Sequence, residues 1–349
     1  MDKRVIFAVA GSGKTTYIVE SLSSEKRSLI VTYTNGNHEN LFRKILQKFD
    51  GVWPDNITVM SYFQFLYRFC YRPFLSDRWK AKGLYFDSNP NNRISQRKIE
   101  YYMTSGRYFY SNRLSLFLEK TGVLNDIRNR IETYFDEFIV DEVQDIAGRD
   151  FNFLEQLMDA NVNMLFVGDF YQHTYDTSRD GNVNKNLFED RGKYEKRFLK
   201  KGFVLDANLL SGSWRCSQNV CEYVSNQLGI AIVSNRPETE CGNIYLIEDA
   251  DCIRQVMNDK NIIKLHFRNG PEHGAGHKNW GETKGEDFYQ DVCVVLNKTT
   301  AKSYEKGTLN QLKPSTRNKL YVAITRAHRN VYFVKEEDLG LVSGNTGGN

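Results

Sequence analysis

The chain lacks most of the features that would assign it by composition alone. Its 349 residues carry six cysteines (Cys70, Cys216, Cys221, Cys241, Cys252 and Cys293), with no C-x-x-C pair and no histidines at zinc-finger distance from them. That excludes a disulfide scaffold and a zinc finger, and points to a reduced, intracellular protein. No apolar run is long enough to span a bilayer and no signal-peptide pattern precedes the first motif, so a soluble cytoplasmic protein without a membrane partner is expected. A large excess of one charge is lacking too. The formal net charge is +4, so any nucleic-acid contact has to come from local patches rather than a wholly basic surface.

What is present suffices for two cores, since the length exceeds what one core usually supports and 40% of the residues are hydrophobic. Short apolar runs at 29–32, 57–60, 138–140 and 164–167 alternate with helical patterns, among them a face formed by Leu41, Ile45, Leu46 and Phe49. A second series at 243–246, 262–265, 292–296 and 331–334 follows, with helical candidates at 218–228 and 251–257. The expected architecture is α/β, with two parallel sheets covered by helices. Residues 1–75 and 136–200 are assigned to the first domain, 201–338 to the second and 339–349 to a disordered tail.

Residues 76–135 interrupt the first domain as a small helical insertion. Basic side chains such as Arg78, Arg93, Arg97, Lys98 and Arg107 alternate there with Trp79, Tyr85, Phe86, Tyr101, Tyr102, Tyr108, Phe109 and Tyr110. Aromatic rings stack on unpaired bases while cations follow the backbone. The same rings also suit the core of a small helical subdomain, and the pattern leaves both readings open.

The chemistry starts at Ala8-Val9-Ala10-Gly11-Ser12-Gly13-Lys14-Thr15-Thr16, placed between an apolar strand and a helix. Successive backbone N–H groups and a helix N-terminus make an anion site there, with Lys14 for the β/γ-phosphates and Thr15 for Mg²⁺. The cofactor-binding residues are therefore Ala10, Gly11, Ser12, Gly13, Lys14, Thr15 and Thr16, although Ala8 stands where the usual pattern opens with Gly. Asp141 and Glu142 end the strand at 138–140, where α/β sheets hold their ligands. Asp141 suits metal coordination and Glu142 a general base; adjacent acids also suit a plain helix N-terminus.

These residues, with Val167-Gly168-Asp169-Phe170-Tyr171-Gln172, resemble motifs I, II and III of the UvrD/PcrA/Rep family of superfamily 1 DNA helicases. The likeness continues in order: Val31-Thr32-Tyr33-Thr34-Asn35 is similar to motif Ia and Ser61-Tyr62-Phe63-Gln64-Phe65 to motif Ib. Ser213-Trp214-Arg215-Cys216-Ser217 is similar to motif IV, Thr283-Lys284-Gly285-Glu286-Asp287-Phe288 to motif V, and Tyr321-Val322-Ala323-Ile324-Thr325-Arg326-Ala327 to motif VI.

The resemblance implies two RecA-like P-loop domains with ATP between them, and hydrolysis coupled to movement along single-stranded DNA. The Gln144–Asp145 pair favours 3′ to 5′ polarity within superfamily 1. Catalytic roles would fall to Lys14, Asp141, Glu142, Gln172, Arg215 and Arg326, with Thr15 and Asp141 as metal ligands. Trp214 would stack on adenine, and Gly285 and Asp287 would lie near the ribose. Thr32, Tyr33, Asn35, Phe63 and Tyr175 would touch DNA, with RNA as the other strand chemistry left open. The chain is expected to act as a monomer.

The resemblance also has departures. No adenine-reading Gln motif precedes the loop, so nucleotide selectivity is expected to be relaxed. Thr177 and Gly281 replace a base-stacking Trp and a DNA-contacting His. The large 2B insertion is missing: only a Gly- and His-rich loop with His273 and His277 follows His266, and it reads either as a flexible loop or as a metal site. A minimal core of this kind also fits a nucleic-acid-sensing ATPase that regulates a partner nuclease or effector, as in phage defence.

Overall fold

The computed structural model describes residues 1–89, 91, 93–174 and 183–340. These form two compact units: residues 1–7, 14–168 and 183–206 in the first, and residues 8–13, 169–174 and 207–340 in the second.

The first unit is built on six parallel strands: β1 (Lys3–Phe7), β2 (Ser28–Thr32), β3 (Ile57–Ser61), β4 (Glu137–Asp141), β5 (Asn163–Gly168) and β6 (Val204–Asp206). Their order is β3-β2-β4-β5-β1-β6. All five residues of β2 are buried, as expected of a parallel strand covered on both faces. Helix α1 (Lys14–Ser21) follows β1 through the phosphate-loop sequence, and α2 (Asn35–Lys48) follows β2. The Thr34 hydroxyl caps α2 by accepting from the Asn37 N–H, and Leu41 and Ile45 bury its apolar face.

Two elements fall outside the sequence expectation. Strand β6 extends the first unit to Asp206, beyond the assigned limit at residue 200. The segment before it, which reads as polar, holds a helix over Arg191–Leu199 capped by Asp190. Its Tyr194 and Phe198, four residues apart, pack against Phe7, Phe151 and each other. Two aromatics on one stripe anchor a helix that is otherwise charged.

The insertion is more mixed than a helical subdomain. A helical run from Tyr62 to Trp79, with a widened π turn over Phe65–Tyr71, leads to paired parallel strands at Gly83–Tyr85 and Tyr108–Tyr110. Helices over Leu114–Thr121 and Leu124–Tyr134 complete it. Its aromatics divide by environment: Tyr101, Tyr102, Phe109 and Tyr110 are buried, while Tyr85, Phe86 and Tyr108 are exposed. The Arg113 guanidinium lies 3.8 Å from the Tyr101 ring centroid and donates to the Tyr101 carbonyl at 2.7 Å. This basic residue is therefore part of the core.

The second unit holds five parallel strands, β7 (Ile244–Ile247), β8 (Ile263–His266), β9 (His277–Asn279), β10 (Val292–Leu296) and β11 (Val331–Lys335), in the order β7-β11-β10-β8-β9. Strand β9 lies in the Gly- and His-rich segment expected to be a loop. It is fastened by Trp280, which is fully buried and donates its indole N–H to the Leu265 carbonyl at 2.9 Å. Helix α3 (Pro314–Ile324) packs on this sheet. Leu339 and Gly340, assigned to the tail, are helical; the rest of the tail, 341–349, lies outside the described residues. Among the described residues no helix is long and apolar enough to cross a membrane.

Burial predicts opposite behaviour for two phenylalanines of the insertion. Phe109→Ala, at a fully buried ring packed against Tyr71 and Phe117, should destabilise the first unit by about 3–5 kcal/mol in a urea titration. Phe86→Ala, at an exposed ring, should shift the same transition by less than about 0.5 kcal/mol.

Candidate nucleotide site and nucleic-acid surface

In the first unit, α1 begins at Lys14 and β4 ends at Asp141, and this brings Lys14 to Glu142. The Lys14 Nζ lies 3.5 Å from Glu142 Oε1, with the two side chains only 9% and 12% exposed. The other Glu142 oxygen accepts from Gln144 Nε2. Glu142 has φ = 54°, a left-handed backbone that costs a non-glycine residue on the order of 1–2 kcal/mol. That turn places the Glu142 carboxylate against Lys14 at the start of α1. Gly168, at the end of neighbouring β5, leaves room for it: a Cβ there would collide with the Gln144 side chain and crowd Val143.

Asp141 is fully buried, and burial first, then the charge of Glu142, pushes its carboxyl above the ordinary carboxylate range. Its Oδ1 has no hydrogen-bond partner. A buried carboxylate oxygen left open in this way fits coordination of a divalent cation. Thr15 is partly buried at the start of α1, as a hydroxyl ligand would be, whereas the Thr16 hydroxyl is taken by Lys44 Nζ at 2.7 Å.

The front of the loop, Ala8–Gly13, is held by the second unit's own backbone and side chains. Val9 N–H donates to the Leu210 carbonyl at 3.0 Å, and Trp214 N–H to the Gly11 carbonyl at 2.8 Å. Gly11 has φ = 70°, and a Cβ on it would lie 2.6 Å from Arg215 Cβ and 2.7 Å from Ser213 Oγ. Glycine is required here by both backbone and space. The Trp214 indole is 65% exposed, which leaves its faces free for stacking. Ser12 Oγ is buried without a partner.

Tyr321, on α3, connects this loop to motif III. Its phenol accepts from the Ala10 N–H at 2.8 Å and donates to Asp169 Oδ2 at 2.9 Å, and Asp169 Oδ1 in turn accepts from the Tyr171 N–H at 3.0 Å. Burial first, and then the Asp169 charge, hold the phenol protonated far above its usual range. Gln172 is buried one residue beyond Tyr171. The sequence marks this strand end and this helix as motifs but gives no sign that a phenol joins them to the loop.

The two arginines are occupied within the same unit. Arg215 pairs through Nε with Asp287 and donates to the Thr325 carbonyl at 3.1 Å. Burial opposes ionisation of Asp287, but His328 and Arg215 hold its carboxyl well below the usual range. Asp287 therefore acts here as an anchor for Arg215. Arg326 is fully buried and donates to the carbonyls of Val322, Thr283 and Glu286 at 3.1, 3.2 and 3.1 Å. Burial, followed by the like charge of Arg215, pushes its guanidinium down to about 9. Arg326 thereby ties motif VI to the turn containing Gly285, whose φ is 85°.

Of the residues expected on a nucleic-acid surface, Asn35 is exposed, and Tyr33 and Phe63 are partly exposed with ring centroids 5.7 Å apart. Thr32 is fully buried at the end of β2 and presents no side chain to solvent, because β2 is covered on both faces. Tyr175 lies outside the described residues. Three histidines of the second unit, His266, His273 and His277, stack on one another, with His266 Nε2 2.9 Å from His277 Nδ1. Burial and the neighbouring rings push His266 down to about 4. Among the described residues no group of three or more His, Cys, Asp and Glu side chains is arranged to hold a metal ion.

The phenol bridge leads to a specific expectation. Tyr321→Phe removes the acceptor of the Ala10 N–H and a donor to Asp169, and should destabilise the second unit by about 1–3 kcal/mol in a urea titration followed by tryptophan fluorescence.

No protein-family model matches the chain, and no curated protein sequence matches it. Solved structures do. The crystal structure of an arterivirus non-structural protein 10, a helicase, matches at TM-score 0.50 and 14% identity over 97% of this chain and 61% of that one. A structure of the helicase of PRRSV matches at TM-score 0.48, 13% identity, 96% and 52% coverage. A complex of arterivirus non-structural protein 10 with DNA matches at 0.49, 14%, 97% and 63%. The chain thus spans about 61% of the length of the first of these. At such identity the likeness is one of fold: two α/β units with parallel sheets of the RecA-like kind.

Proposed function

We propose that this chain hydrolyses ATP and uses it to translocate on single-stranded nucleic acid, as a helicase of the UvrD type with 3′ to 5′ polarity. The observation that carries the reading is the nearly buried Lys14–Glu142 pair beside the unpartnered carboxylate oxygen of Asp141. Lys14 binds phosphate oxygens as they arrive and so releases Glu142 from its ion pair. Glu142, steadied by Gln144, then accepts a proton from the water that attacks the γ-phosphorus. Thr15 and Asp141 would hold a Mg²⁺ ion, which would supply charge neutralisation at the phosphate oxygens. Trp214 offers the adenine an exposed indole face. Arg215 and Arg326 are the cations proposed for the γ-phosphate; to reach it each has to exchange its present carboxylate or carbonyl partners. Such an exchange is one way for nucleotide to favour one conformation over another, and movement along a strand requires that difference in affinity. Six free cysteines support a cytoplasmic setting.

A second reading is favoured by one feature of the second unit. Between His266 and Val292 the chain holds only a single 3-10 turn, β9 and short turns, with no further subdomain. That suits an ATPase that senses nucleic acid and regulates a partner without separating strands.

Steady-state ATPase with and without single-stranded DNA tests the common core. Glu142→Gln should lower kcat about 10²- to 10⁴-fold with KM for ATP little changed, and Lys14→Ala should abolish turnover. Turnover that survives both substitutions would remove the reading. Strand displacement on 3′- and 5′-overhang substrates, with DNA and RNA strands, separates the two alternatives: a 3′-overhang preference supports the helicase, and hydrolysis with no strand separation supports the sensor.

A further inference from the structure

Two donors of the second unit meet at one carboxylate oxygen. Asp287 Oδ1 accepts from Arg215 Nε, and His328 Nε2 lies 3.1 Å from the same atom. A ring nitrogen that faces a carboxylate carries its proton in either charge state of the imidazole. Arg215 and Asp287 differ in depth: the arginine side chain is 9% exposed and the aspartate 59%. A guanidinium so nearly removed from water requires a counter-anion, whereas the carboxylate keeps part of its hydration. The same carboxylate also offsets the charge of buried Arg326.

The main chain decides which of these contacts can be exchanged. His328 N–H donates to the Tyr289 carbonyl at 3.0 Å and Arg329 N–H to the Gln290 carbonyl at 2.7 Å, so the segment just after Asp287 is laced to the one that carries His328. Arg236 Nη1 donates to the carbonyls of both Arg215, at 2.7 Å, and His328. Arg215 N–H donates to Ser213 Oγ at 3.2 Å. Asp287 and His328 are thereby kept together, and the exchangeable group is the Arg215 guanidinium. Its Nη1 donates to the Thr325 carbonyl at 3.1 Å, and its Nη2 makes no hydrogen bond among the described residues.

Arginine grips a phosphate through two adjacent donors. Each of the two forks of Arg215, Nε with Nη2 and Nη1 with Nη2, has one donor in use. The fork through Nε is held by an anion, so a phosphate and Asp287 compete for the same cation. Arg215 is also next to the phosphate loop, at the position where a Cβ on Gly11 would collide with it. We infer that Asp287 is an internal counter-anion that stands in for the γ-phosphate on Arg215, and that His328 is the positioning residue that keeps Asp287 when the phosphate takes its place. The inference rests on the nucleotide reading above and adds to it a built-in competitor of the triphosphate. Removing the competitor's charge then tightens the triphosphate. Removing the imidazole weakens it, because the Asp287–His328 contact counts for more once Arg215 has left.

The test is isothermal titration calorimetry of the full chain with Mg²⁺ and the non-hydrolysable triphosphate AMP-PNP, with ADP in parallel. Asp287→Asn, nearly the same in shape, should tighten AMP-PNP about 5- to 10-fold and leave ADP unchanged. His328→Ala should weaken AMP-PNP by a similar factor, and His328→Gln, which keeps a donor, should restore it. In the Asp287→Asn background His328→Ala should have no effect. A merely structural role gives neither a gain in affinity nor an effect that vanishes with the carboxylate. AMP-PNP affinity that is unchanged or weaker in Asp287→Asn, or ADP tightened equally, overturns the competitor while the nucleotide reading stands. A His328→Ala effect that persists in the Asp287→Asn background overturns the role of His328. If wild type binds neither nucleotide, the inference and the nucleotide reading fall together.

Discussion

The Lys14 ammonium and the Glu142 carboxylate lie 3.5 Å apart, nearly out of water, and each restricts where the other's element can run. An ammonium or carboxylate left alone at that depth carries a large desolvation penalty, so the end of β4 has to turn its acid back toward the start of α1. The left-handed backbone at Glu142 makes that turn, and Gly168 on the adjacent strand makes room for it. Asp141, one residue earlier, is carried inward with an oxygen unmatched. The strained residue, the glycine and the unpaired oxygen are all consequences of one ion pair, and strain concentrated in this way is characteristic of sites that bind.

The second unit solves a different problem, how to hold a loop whose N–H groups have no regular strand or helix to join. Leu210 and Trp214, from one short stretch, and Tyr321, from α3, supply the contacts. The Tyr321 phenol is the most consequential of them, because it satisfies Ala10 and Asp169 together with no water involved. Arg326 follows the same logic: its donors satisfy carbonyls of the turn around Gly285, and a buried guanidinium is tolerated because those bonds are made.

Legibility in the sequence followed the range of the interactions. The strands were readable as continuous apolar runs, and the runs at 292–296 and 57–60 match observed strands almost residue for residue. The helix Arg191–Leu199 was hidden, because its burial rests on only two aromatics among basic and acidic neighbours. Strand β9 was hidden for a similar reason: His277–Asn279 is polar, and it is fixed by Trp280 reaching back to Leu265. Thr32 shows the converse error. Its motif placed it at a surface, but the end of a doubly covered strand is interior.

By itself the sequence determined the chemical inventory: a loop able to bind phosphate, two acids at a strand end, a tryptophan beside an arginine, and two α/β units to carry them. These depend on residue type and short spacing, which local backbone geometry converts directly into structure. Tertiary structure alone decided which groups meet. It paired Lys14 with Glu142, put the Tyr321 phenol between Ala10 and Asp169, buried Arg326 against carbonyls, and brought Phe86 to Phe63. Each of these contacts joins residues separated by more than twenty positions. The burial and electrostatics that select such partners arise only when the sheets and the insertion have packed.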